Sequence, residues 1–398
     1  MDHDGGERQG MFGDRVSWPL NRRRFFALGG VMLLAGCQVI PKRAPVAPPP
    51  PPEQPSATVL PADQMRHRVA LLVPLSGPNA AIGQSLANAT TMAVLDTNAT
   101  NLRITTYDTS TGAAAAATRA IADGNRLILG PLMGDEVGTV GTIARPARVP
   151  IISFSNDITV ASPGTFVMGS VPGQTIGRTV RHARAQGATR FAALIPDGEY
   201  GQRAAAAFRA AVIDNGGQLA GIESYARGNT SVVSAARRLR TGGGFDAVLI
   251  ADGGRIATLV APTLKTGKSA PRLLGTELWS GDAAVAGSSA LAGAWYSAVA
   301  DTRFRQFAES YRARFGAQPY RLATLGYDAV LLTLRVAREW RPGTAFPPAR
   351  LGDPGGFLGL DGPFRFGPDG VVQRSFEVME VRPGGVTVVS PAPARFQN

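Results

Sequence analysis

The stretch RVALLVPLSGPNAAIGQSLANA (68–89) contains an apolar run, a break and a helical pattern. Residues 68–75 are almost continuously apolar, which is typical of a strand buried on both faces of a parallel sheet. The triplet Ser-Gly-Pro at 76–78 ends this run. A helical pattern follows, and its apolar face contains Ile82, Leu86, Ala89 and Ala93. Strand, turn and helix in this order predict a βα unit.

The same unit repeats along the chain. In the first half, further strands are predicted at 102–107, 126–130 and 149–154, with helices at 113–122 and 135–147. After residue 172 the pattern starts again, with strands predicted at 190–195, 218–225, 246–251 and 272–275. Strands that alternate with single helices imply right-handed crossovers and a parallel sheet. The sequence therefore predicts an α/β protein of two doubly wound, Rossmann-like lobes.

The C-terminal third predicts a return to the first half. Helices are expected at 302–315 and 319–338, and turn signals at 369–370 and 383–385 predict a terminal β-hairpin within 360–390. The expected organisation is a leader, a linker, two discontinuous lobes and a tail: 1–36; 37–65; 66–172 with 300–345 as lobe 1; 173–299 with 346–385 as lobe 2; and 386–398.

The first 36 residues are typical of a secretory signal peptide. Three arginines at 22–24 precede an apolar run at 25–36, which is too short to span a bilayer. The stretch LLAGCQ (33–38) resembles the lipobox of bacterial lipoproteins, in which the cysteine is lipidated after cleavage. Cys37 is the only cysteine in the sequence. NRRRFF (21–26) resembles a twin-arginine export signal, so both this route and general secretion remain open.

Residues 37–65 are predicted to form a tether. This segment is rich in proline and favours an extended polyproline II conformation. The sequence therefore predicts a periplasmic protein attached to a membrane through lipid on Cys37. By resemblance to sorting signals, Gln38 in place of aspartate favours the outer membrane.

Composition and motifs argue against an enzyme. The three histidines, His3, His67 and His182, leave no plausible base for a Ser-His-Asp site, and no HExxH, CxxC or GxxxxGK[ST] pattern is present. No metal or cofactor is expected. The formal charge of +12 suits anionic surfaces and equally suits an arginine-rich proteome. Because the basic residues are scattered, nucleic acid is not an expected partner.

The order of these units resembles the type I periplasmic-binding fold of the leucine-binding-protein family. The resemblance covers roughly 66–384 and rests on eight blocks in the right order: VALLVPLSGPNAAIGQ (69–84), LILGPLMG (127–134), VPIISFSND (149–157), DGEYGQRAAAAFRAAV (197–212), DAVLIADGG (246–254), LLGTELW (273–279), LGYDAVLL (325–332) and GPFRFGPDG (362–370). It implies two lobes joined by three crossings, with a non-catalytic, hinged ligand cleft between them.

Candidate ligand-binding residues follow the predicted strands, because open α/β sheets bind ligands beyond the carboxyl ends of their strands. By resemblance, Tyr200 packs over the ligand and Glu277 pairs with its ammonium group. An amine is expected between Asp157, Glu277 and the ring of Tyr200. The resemblance also implies a serine or threonine at 133–135 that holds a ligand carboxylate, and its absence here departs from the family pattern for α-carboxylate capture. The full set is Ser76, Ser155, Asn156, Asp157, Tyr200, Asp252 and Glu277. For Ser76 and for 155–157, helix-cap and turn roles remain open.

Two functions fit the sequence. The first is capture of a small, amino-acid-like ligand for delivery to an ABC permease. The second is that of an outer-membrane lipoprotein that activates a penicillin-binding protein and so regulates peptidoglycan synthesis. The motif match favours the first, and the proline-rich tether and the missing hydroxyl favour the second.

Overall fold

The computed structural model describes residues 65–228, 230–266 and 270–392. The predicted leader, Cys37 and the linker up to residue 64 lie outside the described residues. Within the described part, no helix is both long enough and apolar enough to cross a membrane.

The first half of the described chain forms a parallel sheet, in the strand order β2-β1-β3-β4-β5. The side chains of β1, β3 and β4 are almost all buried and mostly apolar, and helices connect the first four strands, as the sequence predicts. The elements are β1 (His67–Val73), α1 (Ala80–Asp96), β2 (Leu102–Asp108), α2 (Ala113–Ala122), β3 (Leu127–Leu129), α3 (Gly134–Ala144), β4 (Ile151–Ser153) and β5 (Thr165–Val167).

The second half forms another sheet, in the order β15-β14-β10-β9-β8-β6-β7. The pairs from β7 to β10 are parallel, whereas β14 and β15 join as antiparallel strands. The first ten elements are α4 (Pro172–Ala185), β6 (Arg190–Pro196), α5 (Glu199–Asp214), β7 (Gln218–Tyr225), α6 (Ser231–Thr241), β8 (Ala247–Ile250), α7 (Gly254–Leu264), β9 (Arg272–Leu274), α8 (Ala283–Ala286) and β10 (Trp295–Ala298). The predicted α/β class with parallel sheets is confirmed.

The C-terminal segment packs first against lobe 1 and then adds two strands to the second sheet. Two helices come first, then a small antiparallel sheet in the order β11-β12-β13, and then the hairpin that extends the second sheet. The elements are α9 (Thr302–Phe315), α10 (Ala323–Ala337), β11 (Phe357–Gly359), β12 (Gly362–Phe366), β13 (Val372–Arg374), β14 (Glu377–Arg382) and β15 (Gly385–Ser390).

The expected assignment of 346–385 to lobe 2 is wrong for residues 346–372. Their buried aromatic side chains, including Phe346, Phe357 and Phe364, pack into the core of the first sheet together with α10. The turn signals at 369–370 and 383–385 predicted a hairpin in this segment, but turn signals do not say which core the segment covers. The expected tail is also shorter, because 385–390 form β15. Hereafter lobe 1 contains the first sheet with α9 to β13, and lobe 2 contains the second sheet.

The chain passes between the two lobes at three places. These crossings follow β5 at 168–171, β10 at 299–301 and β13 at 375–376. Three crossings is the number that the resemblance implies for the type I fold.

The two histidines in the described residues belong to the core. His67 is 3% exposed and stacks on Trp340, with ring centroids 4.1 Å apart. His182 packs edge-on against Trp295 at 4.7 Å. Burial lowers the pKa of both rings, which favours the neutral form expected of aromatic packing partners.

A buried charge network joins α10 to the small sheet of lobe 1. The Arg321 guanidinium donates from Nη1 to Asp361 Oδ1 at 2.6 Å, and Thr324 Oγ1 donates to Asp361 Oδ2 at 2.9 Å. Asp328 accepts from the Leu360 backbone N–H at 2.6 Å and lies 3.9 Å from Arg374. Two carboxyl groups and two guanidiniums therefore lie together inside lobe 1.

Candidate functional site

A cavity of about 610 Å³ lies between the lobes, at the carboxyl ends of the parallel strands. All three crossings contribute to its wall, through Ser170, Val299 and Phe376. Side chains that follow β3, β4, β6 and β9 supply most of the remainder, among them Met133, Asp135, Phe154, Ser155, Asn156, Glu199, Tyr200, Arg203 and Glu277.

Glu277 and Tyr200 meet in the lobe 2 wall of this cavity. The Tyr200 hydroxyl lies 3.0 Å from both Glu277 Oε1 and Thr276 Oγ1, and Thr175 Oγ1 donates to Glu277 Oε2 at 2.8 Å. Desolvation raises the pKa of Glu277, against the opposing effect of these hydroxyl donors. Burial and the adjacent carboxylate raise the pKa of Tyr200 well above its usual value. The cluster therefore presents a carboxylate that has hydroxyl donors.

The local sequence explains how Glu277 reaches the cavity. Thr276 precedes a single 3-10 turn, Glu277–Trp279, and its hydroxyl caps the Leu278 backbone N–H. The Trp279 ring is 1% exposed and lies against Gly275, where any side chain would overlap it. Trp279 Nε1 also donates to the Asp252 carbonyl at 2.8 Å. Because the tryptophan is fixed inward, the turn directs Glu277 to the cleft.

On the lobe 1 side, Ser155 and Asn156 line the cavity, whereas Asp157 does not line it. Asp157 caps a 3-10 turn by accepting from the Thr159 backbone N–H at 2.9 Å. Its other oxygen lies 3.5 Å from Arg203 Nη1, which belongs to lobe 2. Burial opposes ionisation of Asp157, but the hydrogen bonds from Thr159 and the charge of Arg203 lower its pKa. Asp157 therefore acts as a helix cap and as an ion-pair partner across the cleft.

Two further candidates lie outside the cavity lining. Ser76 is exposed and donates to Asp108 Oδ2 at 3.1 Å, without capping the turn that follows it. Asp252 accepts from the Tyr225 hydroxyl at 2.8 Å and from Arg227 Nε at 3.0 Å. Asp252 contributes to the site indirectly, because Arg227 lies over the Tyr200 ring, 5.8 Å from its centroid.

The sequence did not reveal four polar residues of the site: Thr175, Thr276, Arg203 and Arg321. Thr276 stands beside Glu277 in GTELW, and Arg203 follows Glu199 by one helical turn, so both had a local signal. Thr175 and Arg321 come from distant elements, α4 and the residues before α10. Only the packing of these elements brings them to the cleft.

Replacement of Arg203 by glutamine is expected to lower the free energy of unfolding by less than about 1 kcal/mol. Both partners of the Arg203–Asp157 pair retain some exposure, 28% and 20% of their side chains, so solvent screens the attraction. The difference between variant and wild type should shrink at high salt. Urea unfolding at low and high ionic strength measures both effects. A large, salt-independent loss would contradict this account of the pair.

Comparison with known proteins places the fold in a family. The family model described as "Periplasmic binding protein" matches residues 67–386, which is most of the chain. The chain belongs to the periplasmic binding protein family. The sequence-based resemblance to this family and the two-lobed type I fold are thereby confirmed.

Solved structures share the fold of this periplasmic binding protein over most of its length. A branched-chain amino acid ABC transporter ligand-binding protein from Burkholderia xenovorans has a TM-score of 0.67 at 19% identity, covering 82% of this chain and 95% of its own. A leucine-binding protein from Thermotoga maritima has a TM-score of 0.59 at 21% identity, with 82% and 99% covered. A Rhodopseudomonas palustris solute-binding protein in complex with 3,4-dihydroxybenzoic acid has a TM-score of 0.66 at 18% identity, with 82% and 96% covered.

A sequence match to a further relative covers a shorter part of the chain. The uncharacterized protein RP748 of Rickettsia prowazekii is 26% identical to this periplasmic binding protein over 184 residues. This match covers 46% of the chain and 49% of the relative, so it spans about half the length of either protein.

Proposed function

We propose that this periplasmic binding protein captures a small, amino-acid-like ligand in the cavity between its lobes, as the substrate-binding component of an ABC uptake system. The observation that carries this proposal is the contact of Glu277 with Tyr200 and Thr175 in the wall of a 610 Å³ cavity. Lipid on Cys37 would keep the protein at a membrane, with the outer membrane favoured by Gln38. No step of this function transforms the ligand.

An amino group is the ligand feature that Glu277 suits best. Two hydroxyls donate to its carboxylate, and no cationic side chain pairs with it among the described residues. A partly desolvated carboxylate is stabilised by an opposite charge, so an ammonium group in the cavity would offset the cost of its burial. The raised pKa of Glu277 agrees with a carboxylate that awaits such a partner.

Closure around the ligand is supported by the chain crossings. Ser170, Val299 and Phe376 lie one in each crossing and also line the cavity. A ligand that contacts both lobes stabilises the closed arrangement only if it binds that arrangement more tightly. A ligand in this cavity can contact both lobes at once, because both lobes and all three crossings contribute to the wall.

A thermal-shift screen of the purified full chain tests the proposal. Any compound that binds the folded state and not the unfolded state raises the melting temperature by mass action. At least one compound among proteinogenic amino acids, their amines and small aromatic acids is expected to raise the melting temperature in a saturable manner. The proposal fails if the whole panel leaves the melting temperature unchanged.

The alternative function, activation of a penicillin-binding protein, is supported by a different observation. The cleft loop at 133–135 has methionine, glycine and aspartate and offers no hydroxyl to a ligand carboxylate, and Met133 is 38% exposed at the cavity. Crosslinking in cells discriminates the two functions. Recovery of a permease supports uptake, whereas recovery of a peptidoglycan synthase supports the activator function and overturns the uptake proposal.

A further inference from the structure

We infer that the cleft selects a primary amine with an apolar body and no carboxylate, in preference to a zwitterionic amino acid or an organic acid. This inference rests on the proposed function, because it names the ligand class of the same cavity. Three features of the wall carry it: its net charge, the pairing of its arginines, and the carboxylate of Asp135 at the N-terminus of α3.

The cavity wall is acidic although the protein is basic. The chain carries a formal charge of +12. Two arginines and four acidic residues supply the charges of the wall, which gives it a formal charge of −2: Arg203, Arg321, Asp135, Glu199, Glu277 and Asp361. Low-dielectric walls concentrate the field of nearby charges, so this sign favours a cationic ligand over an anionic one.

The guanidiniums of the wall are already engaged. Arg321 is paired with Asp361 at 2.6 Å, and Arg203 lies 3.5 Å from Asp157 and 3.4 Å from Glu199. Three of their nitrogens have no hydrogen-bond partner, Arg203 Nε and Arg321 Nε and Nη2, but these atoms have less than 1 Å² of accessible surface. In this arrangement these three nitrogens are closed to a ligand carboxylate.

The loop after β3 offers a second carboxylate in place of a donor. Asp135 lines the cavity in the first turn of α3, and its Oδ1 accepts from the Glu136 backbone N–H at 3.0 Å. Asp135 and Glu136 thus already supply negative charge to the N-terminus of this helix, where an anionic ligand would otherwise be favoured. A ligand carboxylate at this position would meet like charge, which costs affinity.

The remaining wall suits an apolar ligand body. Hydrophobic side chains of lobe 1 and one crossing line the same cavity as Glu277: Ile82, Leu132, Phe154, Leu322, Leu325 and Phe376. An alkyl or aryl chain buried against these residues is stabilised because its apolar surface leaves water. The ammonium group would then pair with Glu277 at one end of the chain.

Matched ligand sets test this selection by isothermal titration calorimetry on the full chain. Each set keeps one side chain and varies the charged groups: leucine, 3-methylbutylamine and 4-methylpentanoate; phenylalanine, phenethylamine and 3-phenylpropanoate. The amine is expected to bind about tenfold or more tightly than the amino acid of its set, because it avoids the unpaired carboxylate. The acid is expected to bind most weakly.

Variants separate the charge of the wall from a general effect of mutation. Asp135→Asn should reduce the ratio of amine affinity to amino acid affinity severalfold, because it removes the charge that repels a ligand carboxylate. Glu309→Gln carries the same change in net charge on an exposed position of α9, outside the cavity, and should leave this ratio unchanged. If this affinity ratio falls equally in both variants, Asp135 is not the residue that disfavours the ligand carboxylate.

The outcomes distinguish this inference from the proposed function. If an amino acid or an acid binds more tightly than its matched amine, the inference is overturned while small-ligand capture stands. If no compound in either set binds at millimolar concentration and the thermal-shift screen is also silent, both are overturned.

Discussion

Exchange of Glu277 for glutamine is expected to weaken binding of the tightest amine or amino acid about 100-fold or more. The variant keeps the size of the side chain and an acceptor for the Thr175 or Tyr200 hydroxyl, but it removes the charge that faces the cavity. Removal of one partner from a desolvated charge pair costs about 2 to 5 kcal/mol, and 2.7 kcal/mol corresponds to 100-fold in affinity. Calorimetric titration of both proteins with the same ligand measures the loss.

The pH dependence of binding provides an internal check on Glu277. Only the ionised carboxylate pairs with an ammonium group, and burial raises the pKa of this side chain in the free protein. Affinity should therefore fall as the pH is lowered through this raised pKa, at a higher pH than for an ordinary glutamate. The glutamine variant should lack this dependence. Unchanged affinity in the variant, at any pH, would remove Glu277 from the site.

Replacement of Asp361 by alanine is expected to lower the free energy of unfolding by about 3 kcal/mol near neutral pH. Asp361 is 5% exposed and is the hydrogen-bonded partner of Arg321. Its loss leaves this guanidinium half-buried, and among the described residues its remaining ion-pair partner is Asp301, 3.9 Å away. Urea unfolding measures the effect, and Asp214→Ala, at an exposed position on α5, is the matched control that should change stability little.

Asp328, which lies close to Asp361, makes the effect of Asp361→Ala on stability depend on pH. Burial and the charge of Asp361 raise the pKa of Asp328 to about 7, so the folded protein holds a proton that the unfolded chain releases at lower pH. Stability from Asp328 is therefore present at low pH and is lost as the pH rises from about 4 to about 7. Without Asp361 the pKa of Asp328 falls, so the stability deficit of the variant should be larger near pH 5 than near pH 7. A deficit that is independent of pH would contradict this coupling.

The sequence predicted most of the parallel strands because they are buried on both faces. Continuous apolar runs identified β1, β3, β4, β6 and β8, and the structure places all of them inside the sheets. It missed β5 and β10, whose sequences TFV and WYSA are short and mix polar with apolar side chains. It also missed the core that 346–372 joins, since periodicity reports which side chains are buried and not their partners.

The candidate site shows the same division. Tyr200 and Glu277 came from aligned motifs, and the structure brings them within 3.0 Å. Asp157 pairs with Arg203, 46 residues later in the chain, and Asp252 pairs with Arg227, 25 residues earlier. Both pairings depend on where the long arginine side chains end. Nothing in a single sequence specifies such pairs. The charge of the cavity wall likewise emerges only from the residues that the fold assembles.

The three crossings link the shape of the cavity to the angle between the lobes. Because each contributes a side chain to the cavity wall, rotation of one lobe against the other necessarily changes the volume and the outline of the pocket. Ligand size and lobe angle are therefore not independent quantities in this protein. A guest too bulky for the closed outline would hold the lobes apart, and the outer surface that any partner reads would thereby report the dimensions of what lies within.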